Sequence, residues 1–99
     1  MPYFAAFLHM LDAEKNLEVR PRHIQYLDGL DRKGKVFARG PFGDDSGGLV
    51  VYQAANYAEA LMMAENDPHV IDKARRLELK EWIIFESPYQ KGNKHSKSS

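Results

Sequence analysis

The chain contains no cysteine in its 99 residues. That absence excludes disulfide scaffolds, cysteine-based zinc sites and thiol nucleophiles. It also has no excess of charge, with fourteen basic residues against fourteen acidic ones. Lys91, Lys94 and Lys97 fall in the last ten residues, where there is no acid, so the first 89 residues hold eleven basic and fourteen acidic groups, or −3. A slightly acidic body does not suit a polyanionic partner, so nucleic acid is not expected. No apolar run is long enough to cross a bilayer. The opening Met1-Pro2-Tyr3-Phe4-Ala5-Ala6-Phe7-Leu8 has no basic n-region and soon meets Asp12, so neither a membrane span nor a signal peptide is expected. These features predict a soluble cytoplasmic protein. The phosphate-loop patterns GxGxxG and GxxxxGK[ST] are missing, as are HExxH and any His/Cys framework. No metal and no cofactor is therefore expected. Hydrophobic residues make up 43% and aromatics 11%, which suits one folded domain with a single core.

Residues 3–11 alternate with apolar groups on both faces, Phe4, Ala6, Leu8 and Met10 on one and Tyr3, Ala5, Phe7 and Leu11 on the other. That predicts a central strand covered on both sides. Residues 12–16 are polar and read as a turn. From Pro21, a favoured first helical residue, Ile24, Leu27 and Leu30 form a helical stripe, and Gly34 ends it. Two strands follow over 35–42 and 48–54, joined by the Gly43–Gly47 hairpin. Asn56 reads as the cap of a second helix running to residue 66. Asp67-Pro68 breaks that helix and starts a short turn, and a last strand is predicted over 77–85. The body is taken as 1–89, and the Lys-, Ser- and Gly-rich stretch 90–99 as a disordered basic tail.

The order β-α-β-β-α-β predicts an α+β, ferredoxin-like antiparallel sheet with two helices on one face. Following the chain up and down, the start of the first helix, the Gly40-Pro41 corner, the hairpin and Asp67 all arrive at one end of the sheet. Ligands are often held where loops gather in this way. His23 lies on the stripe of Leu27 and Leu30 and so faces inward. A helix N-terminus would disfavour a positive imidazole, whereas a nearby carboxylate would orient the ring and support its charge. His23 paired with Asp67 is thus a candidate general acid/base. Either residue also has a simpler reading: His23 as a partly buried ring bonded to backbone, and Asp67 as the N-cap of the turn that Pro68 opens. Arg20, Arg22 and Arg39 come to the same end. Arg39 is a candidate for an anionic substrate group or for a surface salt bridge. Gly40 and Pro41 would allow close approach of a ligand, and Tyr26 would line a pocket or sit in the core. His9, His69, Asp44 and Asp45 also approach, without any recognised metal-ligand spacing. The sheet face away from the helices should carry Tyr3, Phe7, Trp82 and Ile84, with Tyr52 as a further candidate. Such a patch points to a symmetric homodimer.

Arg20-Pro21-Arg22-His23, Tyr26-Leu27, Leu30, Gly34, Gly40-Pro41, Gly47-Gly48 and Asp67-Pro68, in this order and spacing, resemble the YciI-like (YCII-related) family over roughly residues 3–85. The resemblance implies a dimeric α/β-barrel type of assembly and a His-Asp pair at His23 and Asp67. It also implies an activity on small, often aromatic or hydroxylated compounds, of lyase or dehalogenating type. His69 departs from the aromatic that is commoner after Asp-Pro, and Ala74 stands where glycine is typical. Three functions follow as expectations. The first is a small-molecule enzyme using His23 and Asp67. The second is a non-catalytic protein that binds a small metabolite or a partner with the same fold. The third, RNA binding, shares the element order, but the third strand Gly48-Leu49-Val50-Val51-Tyr52-Gln53-Ala54 lacks the aromatic RNA-binding pattern.

Overall fold

The computed structural model describes residues 2–85; the tail expected over 90–99 and its boundary at residue 89 lie outside the described residues. The elements are β1 Tyr3–Met10, α1 Ala13–Arg32, β2 Val36–Pro41, β3 Gly47–Gln53, α2 Tyr57–Glu65, α3 Pro68–Ile71 and β4 Arg75–Trp82. The sheet order is β2-β3-β1-β4, and every neighbouring pair is antiparallel. This is the ferredoxin-like α+β arrangement, with the helices packed on one face of the sheet.

Alternation along the strands decides what each face buries. Phe4, Ala6 and Leu8 of β1 join Val50 and Tyr52 of β3 in the core under the helices, where Leu27, Ala60, Met63 and Ala64 meet them. Tyr52 is 1% exposed and belongs to this face, not to the open one where it was a candidate. The open face carries Tyr3, Phe7, Leu49, Val51 and Trp82. A bulge between Val36 and Ala38 turns Phe37 to the same side, where its ring meets Tyr3 edge-on at 4.8 Å.

The first helix corrects the sequence reading. It starts at Ala13, not at Pro21, and Asp12 caps it by accepting the Lys15 amide at 3.0 Å. Residues 12–16 are therefore cap and first turn, and Pro21 lies inside the helix. An interior proline costs about 3 kcal/mol because its N–H is missing and its ring crowds the preceding turn. Burial outweighs that cost. Val19 is 1% and Leu27 2% exposed, and a fully buried aliphatic side chain is worth about 1.5–3 kcal/mol. Asp12 adds about 1 kcal/mol as a cap. His23 is thus the eleventh helical residue, about 15 Å along the axis from the first. The helix-terminus effect expected at His23 does not apply there.

Two glycines are required by geometry where β3 begins. Gly47 has φ 142, and a Cβ there would overlap the Leu8 carbonyl oxygen. A Cβ on Gly48 would lie 2.9 Å from both the Gly40 carbonyl oxygen and an Arg75 terminal nitrogen. Asn56 and Asp67 cap α2 and α3 as their residue types predict, accepting from the Glu59 and His69 amides at 2.9 Å each. The left-handed residue before β4 is Lys73, at φ 59, while Ala74 beside it is fully buried. β4 covers Arg75–Trp82, so it begins and ends earlier than the predicted 77–85.

Candidate active site at the α1–α3 seam

α3 packs against the middle of α1, and this contact joins His23 to Asp67. His23 Nδ1 lies 2.8 and 2.9 Å from the two carboxylate oxygens of Asp67. Asp67 is fully buried, and one of its oxygens also accepts the His69 amide at 2.9 Å. The carboxylate therefore caps α3 and orients the His23 ring at once. An ionised carboxylate can only accept, so Nδ1 carries a proton, and in the neutral ring Nε2 keeps its lone pair.

His69 completes this layer. Its ring is fully buried and stacks on His23, with centroids 4.1 Å apart and planes inclined by 23°. Its Nε2 lies 3.1 Å from the backbone carbonyl of Asn16, which can only accept, so Nε2 carries the proton. Nδ1 is then bare, and it is buried without a hydrogen-bond partner among the described residues. Burial, and then the neighbouring His23 charge, push the His69 pKa from 6.5 down to about 4. Ligand atoms of His23, Asp67 and His69 fall within 4.8 Å of one another, which is close enough for an ion. His23 Nδ1, however, is already spent on Asp67 and His69 Nε2 on the Asn16 carbonyl. The arrangement suits a shared metal poorly.

A cavity of about 560 Å³ opens beside the pair, and His23 and His69 both line it. Leu17, Ile24, Leu27 and Val50 supply an apolar lining, and Arg20, Arg39 and Arg75 supply positive charge. A cavity of this volume is of ordinary size for a small organic molecule.

The other candidate residues separate into groups. Arg39, Gly40 and Pro41 all line the cavity. Arg39 is already engaged, donating to Asp28 at 2.6 Å with Asp31 at 3.8 Å. Tyr26 is not on the cavity wall; its hydroxyl donates to the Met63 carbonyl at 2.7 Å. Its pKa is raised by burial and then by the Asp67 charge, which keeps the phenol protonated. Arg22 leaves the site to pair with Asp72 at 2.8 Å. His9 lies on the open sheet face, 2.8 Å from Glu78. Asp45 lines the cavity, while Asp44 closes the hairpin by accepting the Ser46 amide at 3.0 Å.

Two contributors had no assigned role in the sequence reading. Asn16 and Arg75 are both buried, and Arg75 Nε donates to the Asn16 side chain at 2.7 Å. Asn16 was hidden by reading residues 12–16 as a turn. The signal that could have found it is its spacing of three residues before Val19 and seven before His23, on the same helical stripe.

A family model described as the YCII-related domain matches residues 2–83. The uncharacterized protein YjpA of Bacillus subtilis (strain 168) is 32% identical over 82 residues, spanning 83% of this chain and 96% of that protein. Among solved structures, the chain is similar to 5-chloro-2-hydroxyhydroquinone dehydrochlorinase (TftG) from Burkholderia phenoliruptrix AC1100, in complex with 2,5-dihydroxybenzoquinone. The TM-score is 0.69 at 20% identity, covering 84% of this chain and 94% of that one. At that identity the likeness speaks for the fold.

Proposed function

The chain belongs to the family of YCII-related domains, and on that premise we propose that it is a small-molecule enzyme with His23 as general acid/base and Asp67 as the group that orients it. One observation carries the proposal. The His23 ring has one nitrogen held at 2.8 Å by a fully buried carboxylate, and the same side chain lines a ligand-sized cavity. A general base needs a fixed tautomer, a free nitrogen and access to the ligand, and the carboxylate contact and the adjoining cavity support a role of that kind for His23. Nε2 would take a proton from a hydroxyl or an activated carbon of the ligand and return it to the leaving group or the product. The reaction class is a lyase or dehalogenating step on a small hydroxylated ring. The dehydrochlorinase of like fold motivates that class.

The assembly is proposed to be a homodimer through the open sheet face. Its support is the apolar surface of that face, where Phe37 is 51% and Trp82 45% exposed.

The test starts with 5-chloro-2-hydroxyhydroquinone and a panel of chlorinated and hydroxylated quinols, following chloride release and solvent-deuterium incorporation by NMR. Turnover that falls by at least about a hundredfold in His23→Ala supports the reading. Full activity in both His23→Ala and Asp67→Asn would overturn it. Ligands that raise the melting temperature yet are recovered unchanged across the panel would favour the non-catalytic metabolite-binding protein.

A further inference from the structure

The cavity contains a buried cation that the acid/base reading does not use. Arg75 is 9% exposed, yet no carboxylate lies within ion-pair distance of it among the described residues. Its Nε is spent on Asn16, and its two terminal nitrogens donate to no acceptor among the described residues. They are nevertheless positioned, because one of them crosses so close to Gly48 that a Cβ there would lie 2.9 Å away. Asp67 is the acid whose charge supports Arg75, against burial and the Arg20 charge. It is not an ion-pair partner of Arg75, because its oxygens lie against His23 and the His69 amide and not within ion-pair distance of the guanidinium.

A guanidinium is never discharged in a protein, and the terminal nitrogens of Arg75 are not sealed from the cavity, so an anion held there can meet them. Its fork matches a carboxylate in two parallel hydrogen bonds. The rest of the lining indicates what carries that anion. Arg20 adds a second positive group on the cavity wall, Asp45 is the one acid there among the described residues, and Arg39 is offset by Asp28. Leu17, Ile24, Leu27 and Val50 offer an apolar bed for a ring.

We propose that Arg75, assisted by Arg20, is the anion-binding group of this cavity, and that the ligand is a small organic acid with a carboxylate on an apolar, ring-sized body. The inference rests on the reading of the His23 cavity as the functional site and specifies its ligand class. The carboxylate is held by Arg75 and Arg20, and the body of the molecule is directed along the apolar lining towards His23. Selectivity then comes from charge, because a neutral isostere leaves the guanidinium unpaired.

The test compares benzoate with neutral benzamide by isothermal titration at pH 7.5, on the full chain. Benzoate should bind at least about tenfold more tightly, as the loss of one charge-assisted pair implies. Arg75→Gln should weaken benzoate about tenfold or more and leave benzamide unchanged, with a smaller loss in Arg20→Gln. If Arg75→Gln does not fold, the wild-type protein decides through NMR. The Arg75 Nε–H signal should move on adding benzoate and stay in place with benzamide. Equal affinities for the two probes, no binding of benzoate, or a benzoate affinity that Arg75→Gln leaves intact would each overturn the proposal. His23→Gln separates the two readings. Benzoate binding that survives in it, with turnover unaffected, removes the acid/base role and keeps the anion site. Equal binding of benzoate and benzamide removes the anion site alone.

Discussion

His69 makes the stability of this fold depend on pH in a direction that can be worked out. Its ring is fully buried, neutral and hydrogen-bonded through Nε2 to Asn16, so protonation in the folded state is opposed by burial first and by His23 next. The folded pKa is about 4 against an ordinary 6.5. Between those values the unfolded chain binds a proton that the folded chain refuses. The stability contributed by the neutral ring is therefore present above pH 6.5 and lost as the pH falls towards 4. The full difference is worth about 3 kcal/mol. His69→Phe keeps a ring against His23 and removes the titration. At pH 7.5 it should cost about 1–3 kcal/mol, because the Asn16 carbonyl loses its buried donor. Urea unfolding followed by far-UV circular dichroism, at steps from pH 7.5 to 4, measures both proteins. The wild-type advantage should shrink steadily below pH 6.5 and vanish or reverse near pH 4. Both proteins share every other titrating group, so a stability difference that stays constant over this range would refute the reasoning.

Gly47→Ala should destabilise by more than about 3 kcal/mol or abolish soluble expression, since it adds an overlap with the Leu8 carbonyl at a positive φ. A Gly47→Ala protein with a wild-type urea midpoint would show that the β1–β3 approach can relax. Trp82→Glu places a charge on the open sheet face. If that face is the dimer interface, the variant should run as a monomer in sedimentation at concentrations where the wild type is a dimer, with its far-UV spectrum unchanged. A dimer that tolerates this charge would place the contact elsewhere.

Sequence alone was enough for the fold because its signals are local and mutually consistent. The strands alternate, Asn56 and Asp67 precede their helices as capping residues, and the element order leaves few topologies. The start of the long first helix is obscured in the sequence for an equally local reason. Pro21 is favoured at a helix start, and the polar residues 12–16 look like a loop when the burial of Asn16 is not known. His23 and Asp67 were nevertheless brought together by topology. The inward face of His23 holds, but its expected place at the start of the helix does not: the contact is made from mid-helix, where α3 packs over α1. Arg75 and the stacked imidazoles were not legible as a site. Each is defined by a contact across more than fifty residues or between α1 and α3, with no repeat or spacing to announce it.

The double use of Asp67 makes one substitution more informative than removal of the side chain. Asp67→Ala would remove the cap of α3 and the partner of His23 together, and a loss of activity could then be a loss of structure. Asp67→Asn separates them. Asparagine caps a helix about as well as aspartate, so stability should stay within about 1 kcal/mol of wild type. The amide oxygen keeps the His69 N–H and stays 2.8 Å from Nδ1, while the amide nitrogen takes the other carboxylate position, 2.9 Å from Nδ1, where an Nδ1–H would meet an N–H. That nitrogen donates, so Nδ1 of His23 becomes the acceptor and the proton moves to Nε2. Nε2 then carries a proton and cannot act as a base, although no atom has moved far. Nitrogen-15 shifts of the His23 ring distinguish the two tautomers directly. The expected result is an Nδ1–H ring in the wild type, an Nε2–H ring in Asp67→Asn, and nearly equal urea midpoints. An Nε2–H ring already present in the wild type would mean that Asp67 does not orient the base, whatever activity the protein proves to have.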